Sequence, residues 1–375
     1  MGLFKNNMEI LILAGGGGKR LWPVSRNKNP KQVQPILGDK TLLEETYNRF
    51  IGHFDKKNIY ISTNSNQINF IKKAIKNFDK KNLIIEPEKK DTAAAIGLAA
   101  TIIAKKNPEA IIATANSDAY IENTKAYLKI LKLGEETVKN NPRKTVLVGV
   151  KPRYPETGYG YIKVKYSSST EVMADKQISN VRCQKVLEVE RFVEKPDLET
   201  AEKYIESGEY FWNPAIFIWR VDYLLNLYEK YLPEMHFILM KIQESIGKRN
   251  EARILKQEFS KIKPISIDYG IMEKEKEMLV VPGDFGWADI GHWRAVEEAL
   301  SDKNKKNVIR GNCVSYNSDG NLIYNFTKKV VGICGLKDMV VIETDDALLV
   351  CPKDKAQLVK NLVEEIKKSK YKKYI

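Results

Sequence analysis

The chain has 375 residues, of which 43% are hydrophobic and 29% charged, and its 62 Lys and Arg against 48 Asp and Glu give a formal charge of +14. That balance excludes a disordered tail, a collagen-like repeat and a disulfide scaffold, and the length favours one large α/β unit with an appendage, or two domains. No apolar run reaches the roughly 18 residues of a membrane helix, and the opening MGLFKNNMEI carries no signal-peptide core and has Asn6 where myristoylation needs Ser or Thr, so a cytoplasmic protein is expected.

Apolar periodicity alternates between strand and helix through the first half. Glu9–Leu13 reads as a buried strand, followed by a Gly-rich turn and a helix over Leu42–Phe54. Then come a strand at Asn58–Ser62, a helix at Gln67–Phe78, a strand at Leu83–Ile85 and a helix at Thr92–Lys105. The strand Ala110–Thr114, a helix at Thr124–Lys139 and the strand Thr145–Val150 complete the pattern. It predicts a doubly wound, mostly parallel sheet of the α/β class, with ligands at the carboxyl ends of its strands.

After Pro152 the period changes to two over Tyr159–Tyr166 and Val181–Val193, with a polar stretch at Ser167–Thr170 between them, as in an antiparallel extension carrying substrate contacts. Helices are expected at Leu198–Glu206 and Val221–Tyr228, around a strand-like Tyr210–Arg220. From Val308 to Cys351 short apolar runs alternate with turns such as NSDGN, which predicts a small all-β appendage, closed by an amphipathic helix over Lys355–Lys368. The expected division is 1–303 for a catalytic domain and 304–375 for the appendage and last helix.

Much of the positive charge is Lys spread over surface-like helices, with a cluster at Lys367–Lys373. Such spacing suits a solvated face or an anionic small molecule as well as nucleic acid, and no helix-turn-helix, zinc-finger or RRM pattern supports the last. Cys183, Cys313, Cys334 and Cys351 are widely spaced without a CxxC pair, so reduced and mostly buried thiols are expected.

The most informative stretch is LAGGGGKRLWPVSRNKNPKQ, Leu13 to Gln32, in which glycines follow the first strand and cations follow the glycines. Glycines admit a polyphosphate to backbone N–H groups, and Lys19, Arg20 and Lys31 can neutralise it. Neither familiar phosphate loop fits: Arg20 occupies the last Gly position of GxGxxG, and Lys19 is not followed by Ser or Thr. The stretch resembles the signature of the sugar-1-phosphate nucleotidylyltransferases, in the form used by mannose-1-phosphate guanylyltransferases. Seven further stretches continue the resemblance in order: EPEKKDTAAAIGLAA, NSDAYI, GVKPRYPETGYGYI, RFVEKP, YFWNPAIF, SIDYGIMEK and WADIGHW.

The resemblance implies a Rossmann-like nucleotidyltransferase fold and transfer of GMP from GTP to a sugar 1-phosphate, with Mg²⁺ and release of pyrophosphate. It also implies an enzyme without nucleic-acid or membrane partners, expected to be a homodimer, its appendage serving packing or dimer contacts. Leu13, Gly15, Gly16, Gly17 and Lys19 would meet the nucleotide, Arg20 its outer phosphates, and Lys31 its α-phosphate. Asp118 and Asp289 would hold the metal, although Asp289 alone reads equally as a helix cap. Lys195 would take the sugar phosphate, with Glu194, Gly160 and Asn213 on the sugar; by themselves Glu194 and Lys195 form an ordinary surface ion pair. Guanine presents N1–H and N2–H₂ donors, which Glu86 at a strand end is placed to accept. Thr92 is assigned to the nucleotide, while Asp91 and Thr92 also read as the cap of the Ala-rich helix. Five positions depart from the family pattern: Ala119 where His is common, Lys90 and Asp91 where Arg and Asn are common, and Pro214-Ala215 where Ser-Gly usually follows the Asn. No catalytic role falls to His53, His236 or His292, and Trp22, Trp212 and Trp287 read as core or pocket walls.

Overall fold

The computed structural model describes residues 8–75, 78–165, 186–301 and 306–375. The polar stretch Ser167–Thr170, the first residues of the expected Val181–Val193 strand, Cys183 and the expected 303/304 boundary lie outside them.

In chain order the first half contains β1 (Glu9–Leu13), α1 (Leu42–Phe50), β2 (Ile59–Asn64), α2 (Ile68–Ala74), β3 (Leu83–Glu86), α3 (Asp91–Lys106), β4 (Ile111–Asn116), β5 (Ala119–Ile121), α4 (Thr124–Asn140) and β6 (Thr145–Val150). The second half adds β7 (Gly160–Val164), β8 (Leu187–Glu194), α5 (Leu198–Ser207), β9 (Tyr210–Asn213), β10 (Phe217–Arg220), α6 (Val221–Tyr231), α7 (Pro233–Ser245) and α8 (Glu251–Phe259). A π-helical turn at Asp268–Met272 leads to β11 (Met278–Gly283), β12 (Trp287–Asp289) and α9 (Trp293–Leu300). Local chemistry sets several boundaries. Thr41 and Glu44 form a reciprocal capping box at the start of α1, and Asp197 caps α5, which ends on left-handed Gly208.

Ten strands form one sheet in the order β11-β8-β7-β9-β6-β10-β4-β1-β2-β3. The expectation of a mostly parallel sheet fails over half of it. Strands β3, β2, β1 and β4 are parallel, but β10 runs antiparallel to both β4 and β6, and β7 is antiparallel to both β8 and β9. The reason is local: Tyr210–Arg220 is two short strands broken at Pro214-Ala215, so the chain can return between β4 and β6 without a crossover helix. Alternation along β1 sends Leu11 to one face and Ile10 and Ile12 to the other. The first face carries α3, α6 and α7, through residues such as Ala94, Leu224 and Leu239, while the second carries α1 and α4 through Phe50, Ile130 and Leu131.

The C-terminal region is the expected all-β appendage with a closing helix. Strands β13 (Val308–Arg310), β14 (Cys313–Tyr316), β15 (Leu322–Asn325), β16 (Val331–Cys334), β17 (Met339–Glu343) and β18 (Leu348–Pro352) precede a 3₁₀ segment at Lys353–Leu358 and α10 (Val359–Lys368). The parallel registers Val308↔Leu322↔Val340 and Cys313↔Val331 wind the chain into a β-helix. Its rungs leave Cys334 exposed and Cys313 and Cys351 partly exposed, all free, which corrects the expectation of mostly buried thiols: the buried positions beside them are taken by Ile333 and Val341.

This region is not peripheral. Leu21, Trp22, Val24 and Ile36, from the stretch after β1, share one core with Ile290, Trp293, Tyr324, Ile342, Val359 and Val363. Polar bonds tie the same surfaces. Arg310 donates to the carbonyls of Pro35 and Gly38 at 2.5 and 2.8 Å, Tyr324 Oη donates to Ile36 O at 2.8 Å, and Trp22 Nε1 donates to Tyr374 O at 2.9 Å.

Packing between α4 and the sheet leaves no room at Gly134, where a Cβ would fall 2.2 Å from Ile218 Cδ1. Gly134→Val should therefore destabilise the protein by about 1–3 kcal/mol, read as a lower urea midpoint at unchanged m-value. An unchanged midpoint would contradict this packing.

Candidate active site

Register places the site. Leu13 pairs with Ser62 and Asn116, and Asn64 pairs with Glu86, so β1, β2, β3 and β4 end together, and their outgoing loops meet at one edge of the sheet. A cleft of about 360 Å³ opens there. Leu13, Gly15, Gly16, Lys31, Glu86, Thr92, Asp118, Gly160, Glu194, Asn213 and Asp289 all line it. Gly17, Lys19, Arg20 and Lys195 do not line it.

The charged centre comes from two short strands. Asp118 immediately precedes β5, and Asp289 ends β12; these strands pair antiparallel with Asp289 opposite Ala119, and Ile290 N donates to Asp118 O at 3.1 Å. The two carboxylates therefore share one corner of the cleft. Lys31, almost wholly buried, makes an ion pair with Asp118 and donates to Ile290 O at 3.2 Å. Burial works to lower the Lys31 pKa, but the Asp118 and Asp289 carboxylates outweigh it and the net shift is upward. Asp289 is raised by burial, against the pull of Lys31, with Asp118 adding like-charge repulsion. His292 Nδ1, not Asp289, accepts from Ala295 N at 3.2 Å and caps α9, which removes the capping alternative. Burial, with Arg20 and Arg294 nearby, lowers His292 to about 4, so the ring is neutral and structural.

Gly291 is a contributor that sequence reading did not single out. A Cβ there would fall 2.7 Å from Asp289 Oδ2 and 3.0 Å from Arg20 Nη2, so glycine leaves room for the carboxylate and the guanidinium. Among the described residues no cluster of three or more His, Cys, Asp or Glu could hold a metal. Two carboxylates sharing a corner, one raised by burial and by the other's charge, nevertheless suit a hard cation that takes its remaining ligands from phosphate oxygens and water.

Glu86 is buried, with Ser62 Oγ donating to its Oε1 at 3.1 Å. Desolvation lifts its pKa to about 7 against the pull of that hydrogen bond and of Lys89. It lies beside the glycine loop, since a Cβ on Gly15 would sit 3.9 Å from Glu86 Oε1. Gln32 secures the loop from beneath, donating to Ala14 O at 3.0 Å and to Gln67 Oε1 at 2.6 Å. Thr92 does not cap α3: its hydroxyl accepts from Ile267 N at 2.9 Å, and Asp91 takes a left-handed φ of 69°.

At the other end of the cleft, three adjacent strands bring Glu194, Gly160 and Asn213 side by side in the registers Gly160↔Glu194 and Gly160↔Asn213. A Cβ on Gly160 would lie 2.5 Å from Glu194 Oε2, so the glycine lets the carboxylate lie across the strand. Lys195 turns out of β8 at φ 50°, and its ammonium pairs with Glu194. Asn213 Oδ1 accepts from Ala215 N at 3.0 Å, and its Nδ2 donates to Asp268 Oδ1 at 3.2 Å. Asp268 is a second residue missed from sequence, although SIDYGIMEK contains it; the π-helical turn carries it into the cleft wall. Burial, and then Glu194, raise its pKa. Edge-on contacts of Tyr159 with Trp212 and Trp287, at 5.3 and 5.1 Å, build a rigid wall, whereas Trp22 belongs to the core shared with the β-helix.

The nucleotidyl transferase family profile matches residues 9–306, and that of the MannoseP isomerase/GMP-like beta-helix domain matches residues 311–366. An Escherichia coli K12 protein named mannose-1-phosphate guanylyltransferase is 33% identical over 97% of this chain and 74% of its own length. The xanthan biosynthesis protein XanB of Xanthomonas campestris is 32% identical over 95% of this chain and 73% of its own. A solved Thermus thermophilus structure, described as a mannose-1-phosphate geranyltransferase, superposes with a TM-score of 0.83 at 30% identity, covering 96% of this chain and 100% of that one.

Ala215 holds a φ of 54°, a conformation that costs an alanine about 1–2 kcal/mol and a glycine little. Ala215→Gly should stabilise the protein by about 0.5–1 kcal/mol once the added chain entropy of glycine is subtracted. A lower midpoint in chemical denaturation would contradict the strain assigned to this position.

Proposed function

The chain belongs to the nucleotidyl transferase family, alongside the mannose-1-phosphate guanylyltransferases, and we propose that it transfers GMP from GTP to mannose 1-phosphate, giving GDP-mannose and pyrophosphate. The observation that carries the reading is the division of the cleft: the Lys31, Asp118 and Asp289 cluster lies between the glycine loop with Glu86 and the Gly160, Glu194 and Asn213 group. A nucleotide and a sugar phosphate placed in those two ends would bring their phosphates together at the charged corner.

No protein nucleophile is needed. A phosphate oxygen of the sugar 1-phosphate attacks the α-phosphorus of GTP in line, a P–O bond forms, the bond to the β-phosphate bridging oxygen breaks, and its electron pair leaves with pyrophosphate. Positioning and charge neutralisation supply the catalysis. Asp118 and Asp289 would hold Mg²⁺, which when bound neutralises phosphate charge. Lys31, kept protonated by both carboxylates, steadies the α-phosphate. Backbone N–H groups of Gly15, Gly16 and Gly17 approach the nucleotide, Lys19 and Arg20 take its outer phosphates, and Leu13 and Thr92 flank the nucleoside. On the acceptor side Lys195 holds the sugar phosphate, while Glu194, Gly160 and Asn213 fix the ring hydroxyls. The reading includes a cytoplasmic homodimer without nucleic-acid partners; among the described residues no helix is long and apolar enough to cross a membrane.

Pyrophosphate release from each of four nucleoside triphosphates, crossed with mannose, glucose and fucose 1-phosphates, tests the assignment. GTP with mannose 1-phosphate should give the highest kcat/KM; a preference for another pair would overturn it.

Glu86 yields a pH prediction. Only the ionised carboxylate offers acceptors to both guanine donors, since protonation turns one oxygen into an O–H donor, so KM for GTP should rise as pH falls from 8 to 6 through its pKa of about 7. In Glu86→Gln that Glu86-dependent part disappears and the preference for GTP over ATP shrinks. The raised pKa also means that the folded state holds the proton more tightly than the unfolded one. Its contribution to stability therefore falls as pH rises from about 4.5 to 7, and Glu86→Gln should gain stability over the parent at pH 8. An unchanged GTP to ATP ratio in the variant would remove Glu86 from base recognition.

A further inference from the structure

The two cations that follow the glycines do not reach the cleft by themselves; each is held by the last segment of the chain. Arg20 Nη1 donates to Gln357 Oε1 at 2.7 Å, and Lys19 Nζ pairs with Glu364 Oε1 at 2.6 Å. Gln357 lies in the 3₁₀ segment before α10, and Glu364 lies on α10 itself. Both acceptors are rigidly mounted, because Ala356, Val359 and Val363 are buried in the core that also takes Leu21, Trp22 and Val24. The opposite edge of the Arg20 guanidinium faces Gly291 and Asp289, with Nη2 at 3.0 Å from the place a Gly291 Cβ would occupy. The guanidinium thus spans from the C-terminal segment to the corner where the two carboxylates meet.

We infer that Gln357 is a positioning residue for polyphosphate binding, acting through Arg20, so that the β-helix region and its final helix complete the nucleotide half of the site. This rests on the proposed function in assigning the outer phosphates to Arg20. A guanidinium on a flexible side chain loses rotamer entropy when it binds an anion, and a neutral acceptor on a fixed backbone removes part of that cost beforehand. A neutral amide suits the task better than a carboxylate would, since it orients Arg20 without cancelling the charge the phosphates need. Glu364 stands differently: its pair with Lys19 is about half exposed on both sides, so it contributes little and is readily exchanged for phosphate.

The test is calorimetric binding of tripolyphosphate, which needs no turnover, together with steady-state kinetics in both directions. Gln357→Ala should weaken tripolyphosphate binding roughly three- to tenfold, the loss of one hydrogen bond that orders a charged group. It should raise KM for GTP, and for pyrophosphate in the reverse reaction, by a similar factor. KM for mannose 1-phosphate and for GDP-mannose should stay at the parent values. In an Arg20→Ala background the same substitution should add nothing, because its effect passes through Arg20. Val359→Ala is the structural control: it lowers the melting temperature without separating the pyrophosphate KM from the GDP-mannose KM. Unchanged tripolyphosphate affinity in Gln357→Ala, an equal rise in all four KM values, or a full effect retained in the Arg20→Ala background would each overturn the inference. A parent protein that binds tripolyphosphate in the Gln357-dependent way but turns over no GTP with any sugar phosphate would instead overturn the proposed function and leave the positioning role standing.

Discussion

Two carboxylates share one half-buried corner, and the rest of the site is organised around that repulsion. Pairing of β5 with β12 leaves no freedom to separate Asp118 from Asp289, since Asp289 lies opposite Ala119 and the Ile290 amide is bonded to the Asp118 carbonyl. Buried like charges are costly unless cations answer them. Lys31 meets Asp118 directly from a short 3₁₀ turn, Arg20 approaches Asp289 across Gly291, and substrates with a divalent ion would complete the neutralisation. A site that must attract triphosphate is thereby kept near charge balance in its resting form, with anionic groups that a metal can engage.

The arrangement explains why the stretch after β1 folds as it does. Its glycines stay over the sheet edge, but from Leu21 onward its apolar residues leave the sheet and enter the core built with the β-helix and α10. The stretch thus touches the end of the cleft proposed for the nucleotide with its first part and the C-terminal region with its second. Stability of the β-helix and geometry of the proposed phosphate site become one property, which a separable appendage would not produce.

Much of this was legible in the sequence. Short apolar runs alternating with helical patterns located β1, β2, β3, β4 and β6 and the helices between them, because strands buried on both faces are written that way. The glycine-then-cation order points to a phosphate end, and eleven of the fifteen expected site residues line one cleft. The parts that stayed hidden depend on pairing at a distance. The antiparallel insertion of β10 cannot be read from FIWR, which would be equally apolar in a parallel strand. Asp268 enters the wall only through a π-helical turn that SIDYGIMEK does not announce, and Gly291 matters only once Arg20 arrives from far along the chain. The sequence presents Lys19 and Arg20 as cations able to neutralise phosphate, yet partners more than three hundred residues away in sequence hold them, and no local pattern encodes that.

The claim that the Asp118 and Asp289 pair binds a cation together with the triphosphate is tested most directly by calorimetric titration with GTP, with and without Mg²⁺, for the parent and for Asp289→Asn. The account predicts that Mg²⁺ tightens GTP binding by the parent and that the tightening is lost in Asp289→Asn, while the variant keeps the parent's melting temperature or exceeds it because the repulsion is relieved. Mg²⁺-dependent tightening of equal size in both proteins would contradict it.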